Sequence, residues 1–285
     1  MDGEGYLILA TGSTIYMDMA RNLAASLKVM DPGRRVCIVH DSDAVFSPRD
    51  HRLFDDFALM SKDPDYAGVM NKIRVFPLSP YQRTMFIDAD CYLLKNDVDR
   101  YWELSRQQYF TIAGHRGVTG EWKGADLATI VAQEKAPYFV KVHSGAFTFD
   151  NSPDAKAFFE GLCDFYLRRR DVLQVTTHRG KPAHTDELYI GFWMAFAGID
   201  GTPAKFGENT WMISTWRAFG IVFDPARGIA TIRKPKGSIA GVPNPLKGWD
   251  RLSTTFGHFV GLKPRRHYKR LAAYFQAEFD KRYPG

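Results

Sequence analysis

The sequence predicts an α/β fold made of one domain with a parallel sheet flanked by helices. Short apolar runs alternate with amphipathic segments along most of the 285 residues, which is the pattern of repeated strand–helix units. The first unit is a strand, a helix and a second strand within residues 6–40, and such a connection joins parallel strands. No repeat, low-complexity segment or linker divides the chain, so we expect a single domain over 1–285.

The first unit can be read element by element. Tyr6–Ala10 is a short apolar run typical of a buried strand. The apolar residues that follow recur every three or four positions, which is one stripe of an amphipathic helix: Tyr16, Met19, Leu23, Leu27 and Met30. Asp31-Pro32-Gly33 ends this helix, because proline and glycine do not continue it. Val36–Val39 is then a second buried strand.

The same patterns predict the remaining elements. Strands are expected over Thr84–Ile87, Tyr109–Ala113 and Ser144–Phe149, and helices over Asn71–Leu78, Ala155–Arg169, Asp186–Phe196 and Tyr268–Phe279. Residues 115–135 are expected to be a loop with a short helix, and the chain is strand-like from Ile221 onward. Pro235–Gly248 holds three prolines and three glycines and is expected to be a loop.

Composition narrows the class of protein. Apolar residues make up 45% and charged residues 25% of the chain, which favours a soluble globular protein and excludes disorder and coiled coil. No apolar run approaches the roughly 20 residues of a membrane span, and the N-terminus lacks the pattern of a signal peptide. The three cysteines have no metal-ligand spacing, so we expect reduced thiols in a cytoplasmic protein. Peripheral attachment at the inner membrane surface stays open.

The chain is basic, with a net charge of +6 and a pI of about 9.1. The excess lies in short clusters, at 34–35, 168–170 and 263–270. Such clusters are either solvated helix faces or the contact surface for a polyanion or an anionic lipid surface. The last cluster holds Arg265, Arg266, Lys269 and Arg270, and we expect these residues to contact an anionic acceptor or surface. Tyr268, within the cluster, is expected to pack on the core rather than stack on a base.

Two carboxylates follow directly on a buried strand. Asp88 and Asp90 come after the run Thr84–Ile87, so we expect them at the carboxyl edge of the sheet, where open α/β folds bind ligands. Their charges repel each other, and a divalent cation that prefers oxygen ligands, Mg²⁺ or Mn²⁺, would remove that repulsion. Because the motif is short, a polar turn in which Asp90 caps the next segment is the alternative.

Two classes of enzyme combine an apolar strand with Asp-x-Asp. In haloacid-dehalogenase-like phosphatases the first Asp is a nucleophile and the second an acid/base, whereas in GT-A sugar-nucleotide glycosyltransferases the pair holds the metal on the donor diphosphate. The phosphatase motif usually opens the fold and carries Thr or Val two residues after the second Asp. Here the motif follows a complete strand–helix–strand unit, and the residue two positions after the second Asp is Tyr92. The sequence therefore favours the transferase.

Five separated blocks are each a weak signal, but their order and spacing along the chain are specific when taken together. They are Leu9–Gly12 with Tyr16, Asn71–Ile73, Phe86–Asp97, His143–Phe147 and His258–Pro264. Together they resemble glycosyltransferase family 8, the glycogenin-like and lipopolysaccharide-galactosyltransferase-like enzymes, from about residue 6 to 264. Thr185-Asp186-Glu187 is similar to the family's Asp-Gln step before a helix. The chain departs from the family pattern at His143 for Asn, Glu187 for Gln and Arg265 for Trp, and its last block is one residue shorter.

The resemblance implies a single GT-A (Rossmann-like) domain with a mostly parallel central sheet flanked by helices. It implies a nucleotide-binding part over 6–110, an acceptor and sugar part over 111–264 and a C-terminal basic helix over 265–285. The implied metal ligands for Mn²⁺ or Mg²⁺ are Asp88, Asp90 and His258. The implied donor contacts are Ala10, Thr11, Gly12, Tyr16, Lys72, Ala89, Ser144, Gly145, Gly261 and Lys263. Asp186 would act beside the transferred sugar. Asp88 and Asp90 would contribute to catalysis by holding the metal.

Each of these assignments has a plainer alternative. A lone histidine such as His258 is often structural, Lys72 could be an exposed helix lysine, and Asp186 could be a helix N-cap. The function implied is retaining, metal-dependent transfer of a hexose from a UDP-sugar to a glycan or lipid-linked saccharide. Three alternatives stay open: transfer to hydroxymethylated bases of viral DNA, which the basic clusters would suit, a phosphatase, and an inactive nucleotide-sugar-binding protein.

Overall fold

Strands and helices alternate through the first half of the chain in the computed structural model, which describes residues 2–41, 43–176, 182–236, 238–239 and 242–285. The strands are β1 Asp2–Ala10, β2 Arg35–His40, β3 Asp56–Leu59, β4 Tyr81–Ile87, β5 Cys91–Leu93, β6 Phe110–Gly117, β7 Glu121–Trp122, β8 Ala125–Asp126, β9 Phe139–Asp150, β10 Val175–Thr176, β11 Pro182–Ala183, β12 Lys205–Phe206, β13 Asn209–Ser214, β14 Gly220–Asp224, β15 Ile229–Pro235, β16 Ser238–Ile239, β17 Val242–Pro243 and β18 Trp249–His258. The helices are α1 Thr14–Met30, α2 Asp50–Leu53, α3 Asp99–Ser105, α4 Leu127–Glu134, α5 Pro153–Arg169, α6 Asp186–Phe196 and α7 Arg265–Arg282.

The central sheet has the strand order β3-β2-β1-β4-β9-β6. Strands β3, β2, β1 and β4 are parallel, and β9 then runs antiparallel to both β4 and β6. The predicted α/β fold with a mostly parallel central sheet is confirmed. Parallel pairing brings the carboxyl ends of β1 and β4 to one edge, so the loop after Ala10 and the turn after Ile87 lie side by side.

A second sheet, which sequence patterns did not reveal, is formed from residues 205–258. Its order is β12-β13-β18-β15-β14, and the short strand β5 also pairs with β18. In that register His258 lies opposite Cys91, directly after the Asp-x-Asp turn. A contact between residues 167 positions apart has no periodicity signal, because only the fold brings the two strands together.

The helices cover both faces of the central sheet. α1 buries a continuous apolar stripe that includes Leu23 and Leu27, both fully buried. α7 packs against α1, and its Tyr268 and Phe275 rings contact the ring of Tyr92 at centroid distances of 5.1 Å and 5.7 Å. The predicted packing of Tyr268 on the core is confirmed. Among the described residues, no helix is long and apolar enough to cross a membrane.

The structure differs from the predicted elements at three places. Asn71–Leu78 does not form one α-helix but two 3₁₀ turns, Gly68–Arg74 and Phe76–Leu78. Pro77 explains the break, since it has no amide hydrogen and restricts the residue before it. The expected loop over 115–135 contains the end of β6, the β7–β8 hairpin and α4. The expected loop over 235–248 contains the paired strands β16 and β17 and the 3₁₀ turn Pro245–Lys247, and its residues 237, 240 and 241 lie outside the described residues.

Candidate active site

A cavity of about 750 Å³ opens at the carboxyl edge of β1 and β4. Its lining includes ten of the residues singled out from the sequence: Thr11, Tyr16, Lys72, Asp88, Ala89, Asp90, Ser144, Gly145, Asp186 and His258. They come from the β1–α1 loop, the first turn of α1, the 3₁₀ turn Gly68–Arg74, the turn after β4, the middle of β9, the start of α6 and the end of β18. Four other predicted contacts, Ala10, Gly12, Gly261 and Lys263, are not part of this lining.

Lys72 joins two carboxylates at the floor of the cavity. Its Nζ lies 2.8 Å from each carboxylate oxygen of Asp88 and 3.1 Å from Oδ2 of Asp186. The carbonyl and hydroxyl oxygens of Ser144 lie 3.4 Å from the same ammonium. Burial lowers the pKa of Lys72, but the charges of Asp186 and Asp88 outweigh this and raise it. Lys72 is therefore a buried cation held by two carboxylates, not an exposed helix lysine.

Asp186 lies at the start of α6 without acting as its N-cap. The capping position is Thr185, and the carboxylate of Asp186 instead contacts Lys72. Burial raises the pKa of Asp186, whereas the charge of Lys72 and hydrogen bonds from Ser144 and Lys72 lower it by more. The positive end of the α6 dipole also favours the charged form. The N-cap alternative does not describe this residue, and its charge faces the cavity.

His258 lies against the Asp-x-Asp turn. Its Nε2 is 3.1 Å from Oδ1 of Asp90 and 3.8 Å from Oδ2 of Asp88. Burial lowers the pKa of His258, but the hydrogen bond to Asp90 and the two aspartate charges raise it above its ordinary value. In this arrangement the imidazole donates to Asp90. The turn is held by the amide of Asp88, which donates to the carbonyl of Gly145 at 2.9 Å.

The spacings from Nε2 of His258 to the two aspartates suit a hexacoordinate divalent cation, and the ligand atoms of Asp90, Cys91 and His258 all lie within 4.8 Å of one another. Ligands about 2.1 Å from such an ion lie about 3 Å apart when adjacent and about 4.2 Å apart when opposite. The measured spacings of 3.1 Å and 3.8 Å fall within that range. Cys91 also lies near Asp90 and His258, but burial raises the pKa of its thiol far above the ordinary value, so the oxygen ligands suit Mg²⁺ or Mn²⁺ better.

The charge of the cavity also favours a cation. Among its described lining residues are four carboxylates, those of Asp88, Asp90, Asp186 and Glu187, and two ammonium groups, those of Lys72 and Lys123. With His258 neutral, this leaves an excess of two negative charges. A buried excess of charge is costly unless it is paired, and one divalent ion would balance it.

Gly145 lets two histidines approach the turn. A Cβ at this position would lie 2.7 Å from Sδ of Met212, 2.9 Å from Cε1 of His143 and 3.0 Å from Nδ1 of His258. No larger residue fits without moving these side chains. The rings of His143 and His258 meet edge-on at 5.2 Å. Burial and then the charges of His258 and Lys72 lower the pKa of His143 to about 4, so His143 is neutral at pH 7.

Lys123 is a cavity residue that sequence reasoning missed. It lies in the turn of the β7–β8 hairpin, with a left-handed φ of 48°, and its ammonium contacts the carboxylate of Glu187. The other oxygen of Glu187 accepts the amide of Ser144 at 3.2 Å. Trp122, beside it, also lines the cavity. The flanking glycines in Gly120-Glu121-Trp122-Lys123-Gly124 are a turn signal that could have indicated this hairpin.

The predicted nucleotide-contact residues divide into two groups. Thr11 and Tyr16 line the cavity, while Gly12 has a left-handed φ of 86° and donates its amide to Asp41 at 2.7 Å. Lys263 is exposed, with its Nζ 4.5 Å from the ring centre of Trp216. Its contact with a diphosphate stays a prediction.

Solved structures that resemble this chain over most of its length include two glycosyltransferases. The apo form of the glycosyltransferase GlyE from Streptococcus pneumoniae TIGR4 has a TM-score of 0.56 at 8% identity, covering 98% of this chain and 62% of that chain. This chain therefore spans less than two thirds of GlyE. The galactosyltransferase LgtC, in complex with donor and acceptor sugar analogs, has a TM-score of 0.54 at 10% identity, covering 94% of this chain and 95% of that chain.

Neither a protein-family model nor a curated protein matches the sequence. At identities of 8% and 10%, the structural likenesses show the fold alone. The fold is that of the GT-A glycosyltransferases, a mixed α/β arrangement with a central sheet flanked by helices.

Proposed function

We propose that this chain is a metal-dependent glycosyltransferase, similar to family 8, that moves a hexose with retention from a UDP-sugar to an acceptor hydroxyl. The observation that carries the proposal is the convergence of Asp88, Asp90 and His258 at the carboxyl edge of a GT-A sheet. They border a cavity of about 750 Å³, within the usual range of about 300–1,000 Å³ for ligand pockets. Four of the family-like sequence blocks, far apart in the chain, supply these residues together with Lys72 and Ser144.

Asp88, Asp90 and His258 would hold Mn²⁺ or Mg²⁺, which would stabilise negative charge on the leaving UDP. The donor would lie between the Asp-x-Asp turn and the end of β1, where Thr11 of the β1–α1 loop and Tyr16 of the first turn of α1 line the cavity. In this proposal residues 6–110 bind the nucleotide and residues 111–264 bind the sugar and acceptor. Ala10, Gly12, Gly261 and Lys263 would contribute through the backbone and rim next to that lining.

On the sugar side, Lys72 and Asp186 would position the hexose. Asp186 is held charged by Lys72 and by the start of α6, so its carboxylate can stabilise positive charge that develops on the sugar. Its oxygens are already engaged by a buried lysine, which favours an electrostatic and positioning role over attack on carbon. Ser144 and Gly145 leave the floor of the cavity free of bulky side chains.

The acceptor in this proposal is a glycan or lipid-linked saccharide. The test is mass spectrometry of products after incubation with Mn²⁺, a panel of UDP-sugars and candidate saccharide acceptors. We expect an acceptor product heavier by one hexose, with loss of product in the double variant Asp88→Asn and Asp90→Asn. Phosphate release from phosphoesters without sugar transfer would favour the phosphatase instead. Transfer to hydroxymethylated DNA but to no saccharide would support the nucleic-acid alternative.

A further inference from the structure

The second sheet has one covered face and one open face at β14. On the covered face, Phe223 packs against α7, where its ring lies 5.2 Å from that of Tyr274 and 5.3 Å from that of Phe275. Successive side chains of a strand point to opposite faces of the sheet. Val222 therefore points to the open face, and it is 60% exposed. The side of the sheet opposite α7 is thus in contact with solvent.

Two arginines lie directly opposite each other on the open face. The register of β15 and β18 pairs Arg233 with Arg251. The register of β14 and β15 pairs Gly220 with Arg233, so both arginines are on the same side of the sheet as Val222. Both are exposed, and neither forms an ion pair with any residue in the described part of the chain.

This arginine pair is electrostatically unfavourable in the free chain. Like charges at directly opposite positions of two strands repel each other and destabilise the pairing. The central sheet shows the favourable arrangement, in which Arg83 of β4 lies opposite Asp150 of β9 and the two side chains form an ion pair of 2.9 Å. Arg233 and Arg251 have no such counter-charge between them, and a bound anion would supply it.

Aromatic rings border the arginine pair. The guanidinium of Arg233 lies 4.1 Å from the centre of the Trp249 ring, and the ring of Phe219 lies 4.9 Å from that of Trp249. Trp249 precedes Arg251 by two positions on β18, so it is on the same face. Phe219 is 68% exposed. We call this surface the arginine–aromatic face: Phe219, Arg233, Trp249 and Arg251.

We propose that the arginine–aromatic face binds an acidic saccharide chain. A guanidinium group holds a carboxylate through two parallel hydrogen bonds, and two adjacent guanidinium groups can hold one carboxylate from both sides. The CH groups on one face of a pyranose are apolar and pack on an exposed aromatic ring, here that of Phe219. The anionic character of the ligand follows from the arginine pair alone, whereas the choice of a saccharide rests on the proposed function, in which the acceptor is a glycan.

The extent of the positive surface favours a saccharide over a nucleic acid. On one side, Lys95 donates a hydrogen bond to the hydroxyl of Ser253, two positions after Arg251 on β18, and so adds a further cation. On the other side, Asp224 follows Val222 by two positions on the open face of β14 and ends the positive surface. A nucleic acid carries a phosphate on every nucleotide and needs a continuous track of cations. A small group of cations bordered by an aspartate instead suits a chain with few carboxylates among its sugars.

The test is calorimetric titration of the full chain with tetragalacturonate and with neutral maltotetraose, without metal or UDP-sugar. We expect tetragalacturonate to bind with an affinity that falls as salt rises, and maltotetraose to bind at least about tenfold more weakly. Arg233→Ser and Arg251→Ser should each weaken tetragalacturonate binding about tenfold or more, because each removes hydrogen bonds to a charged group. Phe219→Ser should weaken binding severalfold without changing its salt dependence.

Arg251→Glu separates binding from a structural role. The change places opposite charges across β15 and β18, so urea unfolding of the free chain should shift to higher urea concentration while tetragalacturonate binding is lost. Two controls test net charge and general hydrophobicity. Arg100→Ser with Arg168→Ser removes two exposed cations on α3 and α5, and Val45→Ser removes a side chain that is 82% exposed. Both controls should bind tetragalacturonate like the wild type.

Equal binding of the two saccharides, or equal losses in the control and face variants, would overturn the proposal. So would binding of single-stranded RNA in the absence of tetragalacturonate binding, because the face would then recognise a nucleic acid. Loss of both binding and stability in Arg251→Glu would make the arginine pair structural and would also overturn it. Sugar transfer without tetragalacturonate binding would overturn the face alone. Tetragalacturonate binding by a chain that transfers no sugar would support the face and count against the proposed function.

Discussion

The two walls of the cavity differ in how their carboxylates are neutralised. On the sugar wall, at the start of α6, Asp186 pairs with Lys72 and Glu187 pairs with Lys123, so the chain supplies both counter-charges. On the metal wall, after β4, the only ion-pair partner of Asp90 among the described residues is the imidazole of His258, which is a cation only while protonated. Asp88 lies between the walls and contacts both Lys72 and His258. The names of the two walls follow the proposed function, in which one holds the metal and the other faces the sugar.

The difference indicates on which wall the chain itself neutralises the carboxylates. The sugar wall is balanced by two lysines and by the dipole of α6, so it can be rigid in the absence of any ligand. The metal wall needs either a proton on His258 or an external cation. We therefore expect changes in the sugar wall to alter stability and turnover, and changes in the metal wall to alter ligand affinity.

The largest effect is expected for Lys72→Met. This change removes the Lys72 partner of the buried carboxylate of Asp186 and leaves Asp88 its contact with His258. Breaking a buried ion pair costs about 3–5 kcal/mol. Urea unfolding measured with a chelator should show the loss. The matched control is Lys62→Met, which breaks a pair whose two side chains are 67% and 73% exposed, and it should change stability by about 0–1 kcal/mol. An equal loss of unfolding free energy in the two variants would contradict the idea that the chain's own lysines stabilise the sugar wall.

Asp186→Asn should lower turnover strongly while leaving UDP affinity within a few-fold. The variant keeps the shape of the side chain but removes a charge that faces the transferred sugar, and the loss of one preorganised electrostatic group lowers kcat about 10²–10³-fold. Turnover and calorimetric UDP binding should be measured together. Asp154→Asn, in the exposed first turn of α5, is the control for helix-dipole effects. A large loss of UDP binding would move Asp186 to the nucleotide side, and unchanged turnover would make it structural.

Removal of the metal should weaken UDP binding by roughly 100-fold, because a bound cation contributes several kcal/mol of charge stabilisation. Calorimetry with UDP and Mn²⁺, with and without chelator, measures this. Asp90→Asn should reproduce the effect of the chelator and should make affinity independent of Mn²⁺. Equal UDP affinity with and without chelator in the wild type would show that the metal wall is not a metal site.

The metal wall was largely predictable from sequence, because Asp88 and Asp90 follow directly on a strand whose apolar pattern is clear. The start of α6 was also predicted at the observed residue, Asp186. What could not be predicted is how His258 reaches the turn. That contact depends on three-residue β5 pairing with β18, and a strand of three residues carries no periodic signal.

The sugar wall was only half predictable. Lys72 was identified by its family-like block, but its two carboxylate partners follow from the fold. Lys123 lies in a segment whose glycines and polar residues indicated only a loop, and its partner Glu187 is 64 positions further along the chain. Electrostatic partners at such separations leave no local pattern, because the fold and not the neighbouring sequence brings them together.

The smallest effect is expected for the pair that closes the sugar wall. Lys123 is 46% exposed, whereas the carboxylate of Glu187 is 11% exposed. A half-exposed ion pair contributes about 0–1 kcal/mol. Lys123→Met should therefore cost little stability and leave UDP affinity unchanged, but should speed amide hydrogen exchange in the hairpin 121–126, which this contact fastens to α6.

Glu187→Gln sharpens that prediction. The amide oxygen of Gln can still accept the Ser144 amide, while the charge that attracts Lys123 is lost. If the ion pair is the only connection between the two side chains, the double variant Lys123→Met and Glu187→Gln should exchange its hairpin amides no faster than either single variant. The coupling free energy between the two substitutions should then be below about 1 kcal/mol. A larger coupling would mean that Lys123 stabilises a buried charge as Lys72 does, and the contrast between the exposed and buried lysines of this wall would fail.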